Sequence, residues 1–255
     1  MTRAAILYVT VILAGIIGGA GVLFPAVWYF AIFGVALFSY ALAQLPSANT
    51  RQIFFSGWVF GIAYCGTAIL WFWHILPLDW IGIPHASQGF ILVGFCCGTV
   101  ALVAGTLFGA FSYLYLRFKT DSWHDILFAA SLWTIVQYLQ MWAFAVLTYG
   151  DGSVFGAHFS PFFVGYSLAS FSPTLQMAAY GGIYALTFVA VAIGCALYRF
   201  LPNSITRRAL FCIAIMLFFA MATHIDQTYT LIRTKENAGQ TITAAIVSTN
   251  FMKLA

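Results

Sequence analysis

Two glutamines three residues apart, Gln137 and Gln140, interrupt the fifth long apolar run of this chain. That spacing puts them on one face of a helix. An amide carries both donors and an acceptor and does not ionise, so its chemistry is hydrogen bonding rather than proton transfer. In an apolar setting such a pair either bonds across helices or meets a polar head group, and the residues alone leave both readings open. His74, Asp79 and His85 form a second cluster, but their spacing matches no metal-ligand pattern. Trp71, Trp73 and Trp80 around them read as an interfacial aromatic belt. The five cysteines, Cys65, Cys96, Cys97, Cys195 and Cys212, all lie in apolar runs without a CxxC pair. They read as packing residues, since a thiolate nucleophile needs a polar or electropositive setting. No Ser-His-Asp set, carboxylate pair or Cys-His pair stands out. The expectation is no catalytic group, no metal and no cofactor.

The elements that carry these residues are set by composition. Of 255 residues, 63% are hydrophobic and 6% are charged, against about 25% charged in a soluble domain. Runs of 18 or more apolar residues read as membrane spans. Seven are expected, at about 4–24, 26–45, 53–76, 88–116, 126–148, 175–198 and 208–223. The fold class is therefore an all-α polytopic membrane protein. The first run is too long for a signal-peptide core and continues through Pro25, so it reads as an uncleaved span. Seven of the ten Lys and Arg residues fall on alternate loops: Arg3; Arg51; Arg117 and Lys119; Arg199, Arg207 and Arg208. Cytoplasmic loops retain such charges, which predicts a cytoplasmic N-terminus and, with seven spans, an extracytoplasmic C-terminus. The sequence pI of about 8.8 is thus a topology signal and implies no nucleic-acid partner. No Asp or Glu falls inside the expected spans, which argues against a proton-coupled carrier. Gly15, Gly18, Gly19 and Gly21, with Gly98, Gly105 and Gly109, read as small residues for close helix approach.

The loop at 149–174 is long, aromatic and nearly uncharged, with Asp151 and His158 its only titratable residues. Two readings stand: a lipid-facing loop lining access for an acyl chain, and a re-entrant plug that completes the fold. At the other extreme, residues 226–240 form a polar linker containing Arg233, Lys235 and Glu236. Thr241–Asn250 then reads as a β-strand from its β-branched content.

Several of these segments resemble the apolipoprotein N-acyltransferase family. The matching elements are Ser160-Pro161-Phe162, Gly165-Tyr166-Ser167-Leu168, and Ser172-Pro173-Thr174-Leu175-Gln176 followed by Gly181-Gly182-Ile183-Tyr184. Leu132-Trp133 with Gln137 and Gln140 is similar to the family's LW…E-x-x-R helix, and Ala245–Asn250 to the opening strand of its nitrilase-like domain. Here Gln137 and Gln140 stand where the family has Glu and Arg, and Leu168 stands where it has Gln.

The resemblance implies a transmembrane domain over 1–225, the linker over 226–240, and over 241–255 the start of a nitrilase-like α/β domain, the rest of which is missing. The family's catalytic Glu, Lys and Cys lie in that domain, so no catalytic residue is expected in this chain, which is expected to be inactive alone. The implied role is in lipoprotein maturation at the bacterial cytoplasmic (inner) membrane: transfer of a phospholipid acyl chain to an N-terminal diacylglyceryl-cysteine. The implied partners are membrane phospholipid, lipid-modified apolipoprotein and a separate nitrilase-like domain. The implied lipid- or substrate-binding residues are Pro161, Phe162, Gly165, Tyr166, Ser167, Pro173, Gln176, Gln137 and Gln140. A non-catalytic membrane scaffold or lipid-binding subunit, and a truncated inactive product, are the alternatives.

Overall fold

A computed structural model of the chain describes residues 3–45, 49–150, 162–170 and 172–200. The expected seventh span at 208–223, the linker, the Thr241–Asn250 strand and Pro161 lie outside them. All regular elements among the described residues are helical: α1 (Arg3–Leu23), α2 (Tyr29–Ala43), α3 (Thr50–Ala68), α4 (Ala86–Phe118), α5 (His124–Leu147) and α6 (Ser172–Phe200), with short 3-10 turns between them. Five helical stretches are long and apolar enough to cross a membrane, namely Ala5–Leu23, Thr50–Ile75, Ala86–Phe118, His124–Leu147 and Met177–Phe200. The second expected span holds a shorter apolar helix, α2, of 15 residues, about 22 Å long at 1.5 Å per residue.

Local chemistry explains the helix ends. Proline has no N–H to continue a helix and disfavours helical backbone in the residue before it. Accordingly α1 stops before Pro25, and Phe24 is extended (φ −113°, ψ 105°). Asn49 caps α3, its side chain accepting from the Gln52 N–H at 3.0 Å. α5 starts two residues earlier than the span read from the sequence and so includes Asp125 in its first turn. That buried carboxylate accepts from the Thr120 N–H at 2.8 Å and the Thr120 hydroxyl at 3.0 Å. α6 breaks at Gly181 and Gly182, and Gly182 adopts φ 59°, ψ −152°, which essentially only glycine tolerates.

The six helices close into a ring in the order α4–α3–α1–α2–α6–α5, with α5 returning to α4. Glycine neighbours give the directions. A Cβ on Gly15 would meet Ala63, and one on Gly19 would meet Thr67, so α1 and α3 run parallel. Gly57 faces Phe108 and Gly61 faces Gly105, so α3 and α4 run antiparallel. Gly194 faces Val35, and Tyr40 packs edge-on to Tyr198, so α2 and α6 run parallel. These directions collect Arg3, Arg51, Arg117, Lys119 and Arg199 at one end of the bundle, here called the basic end. Arg199 also donates to the Asp121 carbonyl at 2.9 Å, tying α6 to the α4–α5 loop. Lys119 donates to the Asp121 carboxylate at 2.8 Å and holds that carboxyl below its usual range. This exposed pair adds little stability.

Inside the ring, Phe38, Phe60, Tyr64, Phe108, Phe111 and Trp133 form one aromatic core. Phe38 stacks on Phe60 at 3.8 Å between centroids, and Phe108 meets Trp133 edge-on at 4.8 Å. Lipid is as apolar as the core, so the ring is held by close packing rather than by hydrophobic exclusion. Small residues make that approach possible. An added Cβ on Gly61 would lie 2.8 Å from the Gly105 Cα and 2.9 Å from the Ala104 carbonyl. Gly98 departs from the packing role expected of it, since nothing lies within 4 Å of its Cβ direction. Gly61→Ala is expected to lower stability by about 1–3 kcal/mol, and Gly98→Ala to be close to neutral. Thermal unfolding of the purified variants in detergent measures both.

Candidate functional site

Inside the ring, at the end opposite the basic end, the chain itself supplies a wedge. Residues Val164–Ser170 form a 3-10 turn that packs on α6, α1 and α2. Phe162, Phe163, Val164, Gly165, Ser167 and Leu168 are buried, while Tyr166 and Ala169 are exposed. This is the described half of the aromatic loop. Its other half, with Asp151 and His158, lies outside the described residues.

The wedge has backbone groups that no helix satisfies, and Gln137 supplies their partners. Its Nε2 donates to the Phe162 carbonyl at 2.9 Å, and its Oε1 accepts from the Val164 N–H at 3.2 Å. The Tyr64 hydroxyl donates to the same Phe162 carbonyl at 2.7 Å. Gln137 and Tyr64 are both essentially inaccessible. They sit about 20 Å along α5 and α3 from the basic end at 1.5 Å per residue, well within a hydrocarbon core of about 30 Å. At that depth an unpaired backbone group costs several kcal/mol, so irregular chain survives only where protein satisfies it. Phe162 also has φ 69°, a strained conformation for a bulky side chain. Two donors on its carbonyl, burial, and an edge-on contact to Phe144 at 6.4 Å hold it there.

The rest of the wedge closes on itself and on α6. Ser167 Oγ donates to the Val164 carbonyl at 2.7 Å, and Thr174 Oγ1 donates to the Leu168 carbonyl. Gly165 lies so close to α6 that a Cβ would sit 2.6 Å from the Thr187 nitrogen and 2.8 Å from the Ile183 carbonyl. Gly165 therefore sets the fit between wedge and helix.

Gln140 behaves differently from Gln137. It reaches across the ring and donates to Cys65 Sγ at 3.3 Å, a weak acceptor. Its buried Oε1 has no partner among the described residues, nor do Trp133 Nε1, Ser56 Oγ and Thr187 Oγ1. The amide face read from the sequence is thus one strong bridge and one poorly satisfied group.

Of the residues expected to bind lipid or substrate, the structure gathers Gln137, Phe162, Gly165, Tyr166 and Ser167 around the wedge. Gln140 lies one turn along α5. Pro173 and Gln176 fall in the first turns of α6, with only their backbone described, and Pro161 lies outside the described residues. Tyr64, which completes the bridge, was not singled out in the sequence. Its signal was a phenol inside an apolar run, which when buried usually finds a partner. Beside Tyr166 the surface is aromatic: Tyr184 meets Tyr138 at 6.0 Å and Tyr138 meets Trp142 at 6.4 Å, while the buried Phe163 backs Tyr184 at 5.7 Å. His74, Asp79 and His85 do not converge. Among the described residues no group of three His, Cys, Asp or Glu side chains could hold a metal.

Ring, wedge and aromatic face together define a helical membrane protein that folds part of its own chain into the bundle. Residues 14–196 match the family model described as the apolipoprotein N-acyltransferase N-terminal domain, a match running from α1 through α6, and the chain belongs to that family. Over 85 residues it is 33% identical to an apolipoprotein N-acyltransferase from Nostoc sp. (strain PCC 7120). That match covers 32% of this chain and only 17% of the relative's length.

The two glutamines should respond differently to substitution. Gln137→Leu strands the Val164 N–H and leaves the Phe162 carbonyl to Tyr64 alone, and is expected to destabilise by about 1–3 kcal/mol. Gln140→Met removes a poorly satisfied amide and is expected to cost less than 1 kcal/mol or to stabilise. Thermal midpoints of the two variants in detergent make the comparison.

Proposed function

We propose that this chain is the membrane part of a lipoprotein-maturation acyltransferase in the bacterial cytoplasmic membrane. The basic end faces the cytoplasm and the wedge end faces outward. Its role is to hold lipid substrates: a phospholipid that donates an acyl chain, and the diacylglyceryl-cysteine of a lipoprotein that receives it. The acyl-transferring Glu, Lys and Cys are assigned to a nitrilase-like domain, the proposed partner for the chemical step.

The observation that carries this reading is the family match, joined to the exposed aromatic surface beside a rigidly held wedge. Tyr166 is 44% exposed and projects from between buried neighbours, Gly165 and Ser167. Amphipathic aromatic rings suit the boundary between acyl chain and head group. The wedge's hydrogen bonds keep that surface in place.

A photoreactive phenylalanine at position 166 tests the proposal. In phosphatidylethanolamine nanodiscs it is expected to crosslink both phospholipid and a diacylglyceryl-cysteine peptide. The same probe at Phe95, an exposed α4 position, is expected to crosslink phospholipid alone. The purified chain by itself is expected to transfer no acyl group to the peptide. Equal peptide crosslinking at both positions would reduce the chain to a lipid-embedded scaffold. Turnover by the chain alone would place the reacting groups within residues 1–255.

A further inference from the structure

A second lipid contact suggests itself at the opposite end of the bundle. Between the start of α3 and the end of α4 lies a groove of about 470 Å³, lined by Thr50, Arg51, Phe54, Phe55 and Tyr113. The surface these residues turn into the groove is almost wholly apolar. Arg51 is exposed, and its guanidinium stands 5.8 Å from the Phe55 ring centroid. Arg117 lies four residues beyond Tyr113 on α4, hence on the same helix face, and is also exposed. Neither arginine meets a carboxylate among the described residues, whose one ion pair is Lys119–Asp121. Arg51 thus lines an apolar groove, with Arg117 one turn beyond its Tyr113 wall, and neither has a carboxylate partner among the described residues.

We propose that this groove binds an anionic phospholipid. Arg51 and Arg117 take the head-group phosphate, and an acyl chain lies along Phe54, Phe55 and Tyr113. Charge complementarity selects the occupant. A guanidinium forks onto phosphate oxygens, and basic positions at span ends attract anionic lipids. A zwitterionic lipid offers the same tails but cancels the head-group attraction. The site lies at the far end of the ring from the wedge, so it stands or falls independently of the function proposed above.

Native mass spectrometry of the full chain, titrated with phosphatidylglycerol and with phosphatidylcholine, tests it. Each arginine is expected to contribute about fivefold to the preference for phosphatidylglycerol. Arg51→Gln with Arg117→Gln should abolish the preference, and Arg51→Lys with Arg117→Lys should retain most of it. Lys119→Gln, which removes a cation already paired with Asp121, should leave it unchanged. If the double Gln variant does not fold, either single variant is expected to lose about fivefold. Equal affinity of the native chain for the two lipids, or a preference that survives loss of both arginines, would overturn the proposal.

Discussion

The carbonyl of Phe162 and the amide of Val164 lie deep in an apolar bundle, and one side chain serves both. Gln137 donates to the first and accepts from the second, while Tyr64 adds another donor to the carbonyl. Without them the wedge would carry unpaired backbone groups into a region where no water replaces the lost bonds. With them, irregular chain becomes as acceptable as helix. The placement of Gly165 against α6, the outward projection of Tyr166 and the strained backbone of Phe162 all follow from that anchorage. An amide suits the task because one group presents a donor and an acceptor side by side. An ionised carboxylate would present only acceptors and face the Phe162 carbonyl with the wrong polarity.

The pair of glutamines takes on a physical meaning in this light. The resembling family pattern has Glu and Arg three residues apart, where this chain has Gln137 and Gln140. Gln137 has a partner for both its Nε2 and its Oε1. Gln140 retains only the thiol of Cys65, and its oxygen finds nothing among the described residues. The two ends of the bundle divide the remaining roles, with cations gathered at one and aromatic side chains with the wedge at the other.

Much of this architecture was legible in the sequence, because membrane spans are written in length and hydropathy. Most expected spans that fall in the described residues are helices within a few residues of their predicted limits, and Arg3, Arg51, Arg117, Lys119 and Arg199 share one end. The glycine pattern foretold close packing at Gly15, Gly19, Gly105 and Gly109 but misread Gly98, since composition does not say which face of a helix meets a neighbour. The break at Gly181-Gly182 falls inside the expected 175–198 span, where length and hydropathy alone do not mark it. The ring order of the helices, and the pairing of Tyr64 with Phe162 across 98 residues, are tertiary facts with no local signature. The aromatic loop left two roles open. Residues 162–170 enter the bundle, yet Tyr166 remains on its surface.

Hydrogen–deuterium exchange of the chain in lipid nanodiscs, read for the peptide covering 162–170, bears most directly on the anchored wedge. The bridge from Gln137 and Tyr64 predicts protection of the Val164 amide comparable to that of α5, and its loss when Gln137 is replaced by leucine. Exchange in the native chain as fast as in the exposed 79–86 segment would contradict the account, because an unprotected wedge cannot be held by those bonds.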